Sequence, residues 1–193
     1  GSVYARGWTK IKLYFMIGHP TETDEDVEAI ARLSLAVLRR GRTVQPRAGV
    51  NVGVSTFVPK PFTPFQWERQ ISMDETRHKQ SILRRMLQVS GVKLRTHEAE
   101  NSWLEGVVSR GDRRVGELFE HAWREGCRLD GWTEHFDFAK WRRAIDKWGV
   151  DPNENLRERP VTDPLPWDHV DVFIDKKWLA DDLVDAKTRM MEE

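Results

Sequence analysis

Among its 193 residues the chain has one cysteine, Cys127. A single thiol excludes an internal disulfide, a Cys-x-x-Cys pair and a thiolate-held iron–sulfur cluster within the chain. Long hydrophobic runs are also missing: the longest, residues 13–17, is far short of the ~20 residues that cross a bilayer. No charged, apolar and small-residue leader opens the sequence. These absences predict a soluble, cytoplasmic chain with no membrane partner. Net charge is lacking as well, with 31 Lys plus Arg against 31 Asp plus Glu, so whole-chain electrostatics indicates neither nucleic acid nor anionic lipid. The six histidines never form a His-x-x-x-His pair, which removes the helical zinc signature. No Gly-x-Ser-x-Gly elbow, P-loop or Rossmann glycine set occurs, so a free-standing hydrolase or nucleoside triphosphatase finds no support.

What is present suffices for a core. Hydrophobic residues make up 39% and charged residues 32% of the chain, too apolar and too aromatic for a disordered segment. Residues 10–17 begin as an alternation and become continuously apolar, the pattern of a central parallel strand buried on both faces. After Gly18, His19, Pro20 and an acidic run, Val27, Ile30, Ala31, Ser34, Val37 and Leu38 recur at helical spacing. Thr23 with Asp26 supplies the N-cap signal, and Gly41 the stop. Residues 50–58 alternate as a second strand, so strand, helix and strand form a βαβ unit.

Pro59, Pro61 and Pro64 then deny helix and ladder alike, and the signals beyond them are helical. Ser72 with Glu75 opens a helix ending near Gly91, and Ser102 with Glu105 opens one running to Gly111. Asp112 caps a helix ending at Gly126, Asp137 caps one ending at Gly149, and a last helix starts after Asp175. Residues 92–97 read as a short strand, and 151–166, proline-rich and charged, as loop or linker. The fold class is therefore α/β, a βαβ unit over residues 8–67 followed by a mostly α-helical region over 68–193. Nine tryptophans, seven of them after residue 100, predict large rings filling a small helical core rather than a stacking surface, because Trp141 and Trp148 share one helical face.

Two segments carry candidate chemistry. Gly18-His19-Pro20-Thr21-Glu22-Thr23 lies between a strand end and a helix start, the edge where parallel α/β folds bind ligands. Gly18 permits close backbone approach, the helix start attracts an anion, and Glu22 offers a carboxylate to an ammonium or hydroxyl. Ser55-Thr56-Phe57-Val58-Pro59 ends the second strand in a rigid loop whose unpaired backbone groups suit the edge of an adenine ring, with Phe57 or Val58 over its face. Either segment is equally readable as a plain structural turn.

Together, residues 13–26 (Leu-Tyr-Phe-Met-Ile-Gly-His-Pro-Thr-Glu-Thr-Asp-Glu-Asp) and 54–67 (Val-Ser-Thr-Phe-Val-Pro-Lys-Pro-Phe-Thr-Pro-Phe-Gln-Trp) resemble the fifth and sixth strands of the radical S-adenosylmethionine barrel. The common turn there is Gly-x-Pro-Gly-Glu-Thr; this chain has Thr21 in place of its second glycine. Residues 104–114, Trp132, Phe136, Trp141 and 165–171 resemble the region after the barrel in a bacterial family of cobalamin-binding radical S-adenosylmethionine proteins of unassigned substrate.

The resemblance implies a partial β/α barrel fragment, an S-adenosylmethionine ligand and a 4Fe-4S cluster held by three cysteines upstream, with cobalamin possible in the parent enzyme. By carry-over, Gly18, Pro20 and Glu22 border the methionine or ribose, and Ser55, Phe57, Val58 and Pro59 line the adenine. The cluster cysteines, the first four strands and a cobalamin domain are not in this sequence. The chain thus reads as a piece of a longer enzyme, inactive alone, whose first strand needs the rest of the barrel or a second copy of the chain for cover.

The remaining candidates have plainer readings. Arg110-Gly111-Asp112-Arg113-Arg114 contains an adhesion-type tripeptide but reads as a helix stop, a cap and a new start, leaving Arg113 or Arg114 as anion contacts. Asp168, His169 and Asp171 read as a hydrogen-bonded turn before they read as metal ligands. His19 faces either substrate or solvent, and Cys127 is a small buried apolar residue. The alternative function is a Trp- and Arg-rich helical module for RNA or a protein partner, prompted by the basic stretch from Arg39 to Arg47.

Overall fold

The structure, a computed structural model, describes residues 2–192. After a short helix α1 (Ser2–Ala5), the strand β1 (Lys10–Ile17) leads into α2 (Asp24–Arg42), β2 (Gly49–Thr56), α3 (Met73–Met86) and β3 (Val92–Thr96). The three strands form one parallel sheet in the order β1-β2-β3. The chain is α/β, as the alternation of strand and helix patterns predicts.

Strand register follows from side-chain burial. Leu13 lies opposite Val52, which lies opposite Leu94, so the aliphatic residues of all three strands share one face. Against it α2 lays Val27, Ala31 and Leu38, and α3 lays Ile82 and Leu83, closing an aliphatic core. Both helices start at capping boxes, Thr23 with Asp26 and Ser72 with Glu75, in which each side chain takes the other's backbone N–H.

The other face of the sheet is uncovered by any described residue at Tyr14 (77% exposed) and Met16 (49% exposed). This corrects the expectation for residues 10–17: β1 is an edge strand buried on one face, and β2 is the central one. Gly41 does not stop α2 either. It lies inside the last turn because the Tyr4 ring packs against it, where an added Cβ would stand 2.5 Å from Tyr4 Cε2.

The chain divides into two compact units: residues up to Phe57 with Ile71–Ser102, and Val58–Gln70 with the chain from Trp103 onward. The return of residues 71–102 to the first unit adds α3 and β3 to the βαβ unit, so the division does not fall at one point after residue 67.

In the second unit a single 3-10 turn (Pro64–Trp67) joins the later helices α4 (Ala99–Arg110, from Trp103 on), α5 (Val115–Arg124), α6 (Phe138–Trp148), α7 (Asn153–Leu156) and α8 (Lys176–Glu192). Asp137 caps α6 at one end and Gly149, left-handed, at the other. α4 starts at Ala99 rather than at a Ser102 cap, Ser102 N–H bonding to Glu98 C=O inside the helix, and α3 ends at Met86, short of Gly91. The segment read as a linker is instead packed: Asn155, Leu156, Arg159 and Leu165 are buried.

Five tryptophans, at 67, 103, 141, 148 and 167, are buried in this unit. Trp67 and Trp167 join Leu165, Leu179 and Leu183 in one cluster. Trp123, Trp132 and Trp178 are exposed. At its centre is the fully buried Arg110. Its guanidinium donates to the carbonyls of Asn155 (2.9 Å), Pro59 (3.3 Å), Gln66 (3.2 Å) and Arg157 (3.0 Å), while its own carbonyl accepts from Arg159. Burial pulls the Arg110 pKa down to about 10, the adjacent Arg159 charge adds to the pull, and Glu68 opposes it. Arg110 buried in this way cannot serve an adhesion motif.

Among the described residues no helix is long and apolar enough to cross a membrane.

Candidate functional site

The carboxyl ends of β1 and β2 are held side by side, because the Phe57 N–H donates to the Ile17 carbonyl at 2.8 Å and so extends the ladder one step beyond the strands. Two turns leave from this point. The first reverses over Gly18, His19, Pro20 and Thr21, with Glu22 N–H donating to His19 C=O. Gly18 takes φ +88°, and an added Cβ would stand 2.5 Å from Ile71 Cδ1, so conformation and space both demand glycine. Thr21 also lies in the left-handed region, at φ +68°. That explains why glycine suits this position in the pattern the turn resembles. A β-branched residue tolerates it only because the surrounding hydrogen bonds fix the turn.

Glu22 does the fixing. Its carboxylate accepts the Gly18 N–H at 2.8 Å and pairs with Lys79 Nζ at 2.9 Å, both side chains being almost buried. Glu22 therefore locks the turn to α3. Its partner Lys79 lies 57 residues away, and no local pattern marks it. Next to this lock the His19 imidazole stacks on the Phe57 ring, centroids 4.3 Å apart. Burial lowers the His19 pKa from its ordinary value, and the Glu22 charge partly opposes that shift. One polar atom at this edge is left unsatisfied among the described residues: the hydroxyl of Thr56, whose side chain is buried.

Of the residues named from sequence, Gly18, Pro20, Ser55 and Phe57 thus converge on one edge, with His19. Ser55 also lines an open cleft of about 570 Å³ on the uncovered sheet face, with Tyr14, Met16, Gly53, Arg95 and His97. Val58 and Pro59 are placed otherwise. The chain passes into the second unit after Phe57, both residues are buried there, and the Pro59 carbonyl is held by Arg110.

The other candidates resolve as structural. Asp168 accepts the Leu165 N–H and pairs with Lys176, a hydrogen-bonded turn. Asp112 accepts the Arg114 N–H and pairs with its guanidinium. Cys127 is a buried free thiol whose pKa is raised by burial, inert as a nucleophile. Among the described residues no group of three or more His, Cys, Asp or Glu side chains could hold a metal ion.

An uncharacterized protein of the archaeon Methanocaldococcus jannaschii is 28% identical over 116 residues, which are 60% of this chain and 24% of that protein. The chain thus matches about a quarter of that relative's length. No family model matches the chain, and no solved structure does.

Proposed function

We propose that the first unit is the adenosyl-binding edge of a radical S-adenosylmethionine enzyme, contributing the ribose and adenine side of its barrel, and that the second is an accessory region of the same enzyme. The observation that carries this reading is the Phe57-to-Ile17 hydrogen bond, which sets a glycine-proline bend and an aromatic strand end at one ligand-binding edge of a parallel sheet.

The residues fit the adenosyl half of the cofactor. Gly18 gives close backbone approach, the His19–Phe57 pair gives a flat aromatic wall, and Thr56, next to Phe57 in the chain, has an unsatisfied buried hydroxyl. Glu22, engaged by Lys79, preserves the bend. When bound, the cofactor would supply an adenosyl group for radical chemistry; this chain's own part is to bind and orient it. A 4Fe-4S cluster does not fit this chain's own residues: the one thiol, Cys127, is buried and stands alone.

Parallel sheets are ordinarily covered on both faces. The open edges of β1 and β3 support the rest of a barrel as the natural partner in a cytoplasmic enzyme, with the bare face turned to its interior.

The test is a titration of the ¹⁵N-labelled chain with S-adenosylhomocysteine, a stable analogue. Shift changes should centre on Gly18, His19, Ser55 and Phe57 and vanish in Phe57→Ala. No change at millimolar ligand, or changes confined to residues outside those turns, would overturn the assignment.

A further inference from the structure

A formal charge of zero conceals a segregation. The first unit holds 14 Lys and Arg against nine Asp and Glu, a net +5, and the second 17 against 22, a net −5. Within the first unit the segregation continues. None of the three strands contains an acidic residue, and all nine acids lie in the turn after β1 and at or beside the starts of α2, α3 and α4. The cations gather elsewhere. Lys10 and Lys12 on β1, and Lys93 and Arg95 on β3, alternate onto the uncovered face, while Arg42 and Arg47 join Lys10 and Lys93 around a cleft of about 290 Å³ at the amino ends of the strands.

Five of these six take part in no ion pair among the described residues, and the sixth, Arg42, donates only to the Ser90 carbonyl. On the helices of the same unit Arg32, Arg77 and Lys79 are paired with carboxylates, while Arg84 is held by Gln80 and Thr96.

The shape of this face is as specific as its charge. Its middle strand presents only Asn51, Gly53 and Ser55, short side chains, between the long side chains of β1 and β3. The result is a trough about 20 Å long, from six strand steps of ~3.3 Å, and about 10 Å between its walls, from two strand spacings of ~4.8 Å. Tyr14 leans across it. Its Cδ1 lies 3.2 Å from where a Cβ on Gly53 would be, yet the residue is 77% exposed, so the ring rests on the sheet and shows a face outward.

We infer that this trough binds a single strand of RNA, its phosphates along the Lys and Arg walls and a base stacked on Tyr14. The cations run from the amino end of the trough to the level of Tyr14, Gly53 and Arg95, four strand steps or about 13 Å, which suits successive phosphates of a chain and exceeds what one phosphate group needs. A duplex is too wide to enter. The inference stands without the adenosyl reading; where both hold, the trough leads along β1 and β2 to the Gly18–Phe57 edge, and the bound strand is substrate.

The experiment is fluorescence anisotropy of a labelled ten-nucleotide RNA of mixed sequence with the full chain, at several salt concentrations. Binding should weaken with salt, and the triple variant Lys12→Gln, Lys93→Gln, Arg95→Gln should lose at least about tenfold in affinity, its salt slope falling by about 0.7 per cation removed. Tyr14→Ala should lose about fivefold or more with the slope unchanged. The triple Arg32→Gln, Lys177→Gln, Arg189→Gln, which removes exposed paired cations elsewhere, should stay within about twofold.

All these positions are exposed, so thermal melts should coincide with the parent's, and Lys12→Arg with Lys93→Arg should retain binding. Absence of salt-dependent binding, equal losses in both triples, or equal affinity for a ten-base-pair RNA duplex would each overturn the inference. S-adenosylhomocysteine scores the adenosyl reading and RNA scores this one, so each can fail alone.

Discussion

The two units solve the same problem, keeping a polar chain folded, by opposite means. The first is a regular device: a parallel ladder, two capped helices and an aliphatic core drawn from residues at periodic positions. Its helix starts are satisfied locally, within three or four residues, in the two capping boxes, and its few long-range polar links, such as Tyr4 to Gly49 and Lys79 to Glu22, join elements that the periodic core already packs together. The second has short helices and long connections, and it is organised by side chains that reach backbone far away in sequence. Arg110 binds carbonyls 44 to 51 residues off, Asn155 donates to Val107 C=O, and Trp167 donates to Gln66 Oε1 across 101 residues. Where periodicity is strong, the apolar core sets the path and long-range polar bonds only add to it; where it is weak, buried polar hubs fix the path of the loops.

The largest effect that sharpens this contrast is expected at Arg110. Arg110→Met keeps the volume but leaves several buried carbonyls without a donor, and should cost about 3–5 kcal/mol in urea unfolding. Arg110→Lys retains the charge but not the planar fork, and should recover only part of that. If Arg110→Met were neutral, the polar hub would not be what holds the second unit, and the comparison would lose its basis.

Gly18 and Thr21 test the first unit, where a short turn replaces a hub. Gly18→Ala forces a Cβ against Ile71 at a positive φ and should cost about 3 kcal/mol. Thr21→Gly relieves a β-branched residue at φ +68° and should raise stability by up to about 1 kcal/mol. Opposite signs three residues apart, read from thermal melts, would show that the bend is under backbone strain rather than merely exposed. Equal signs would remove strain as its explanation.

These contrasts also explain what could be read from sequence. The strands at 10–17 and near 50–58, the Thr23 and Ser72 caps, the Asp137 cap and the Gly149 stop are local signals, and each lies where its pattern places it, whereas the Ser102–Glu105 box fails because α4 already starts at Ala99. Trp141 and Trp148, seven apart, are buried as their spacing implies. Gly41 deceived because its reason for being glycine, Tyr4, lies 37 positions earlier and leaves no local mark. The candidate edge was legible in its backbone, Gly18 and Phe57, but not in its electrostatics. The pairing of Glu22 with Lys79 is a product of the α3 docking, and the burial of Pro59 depends on Arg110. The basic sheet face was hidden twice, once by a net charge that cancels and once because a period of two distributes cations over two strands that only the register joins.

The smallest effect concerns how cations are used in each unit. In the second, Glu125 accepts from Arg143 at 2.7 Å and also pairs with Lys147, tying the end of α5 to α6. Hydrogen bonds from Lys147 and Arg143 pull its carboxyl from the ordinary 4.5 down to about 2. A carboxylate whose folded pKa is depressed contributes stability that is present above the unfolded value and lost as pH falls through the folded one. The stability difference between the parent and Glu125→Gln should therefore be constant from pH 7 down to about 5, shrink between about pH 4.5 and 2, and vanish below. On the first unit's sheet face the same comparison should give nothing: Lys12→Gln and Arg95→Gln remove cations that no carboxylate answers, so their unfolding midpoints should follow the parent's at every pH. A pH-dependent gap at Lys12 or Arg95 would mean those cations are tied into the fold, and the division between paired structural charge and unpaired surface charge would fail.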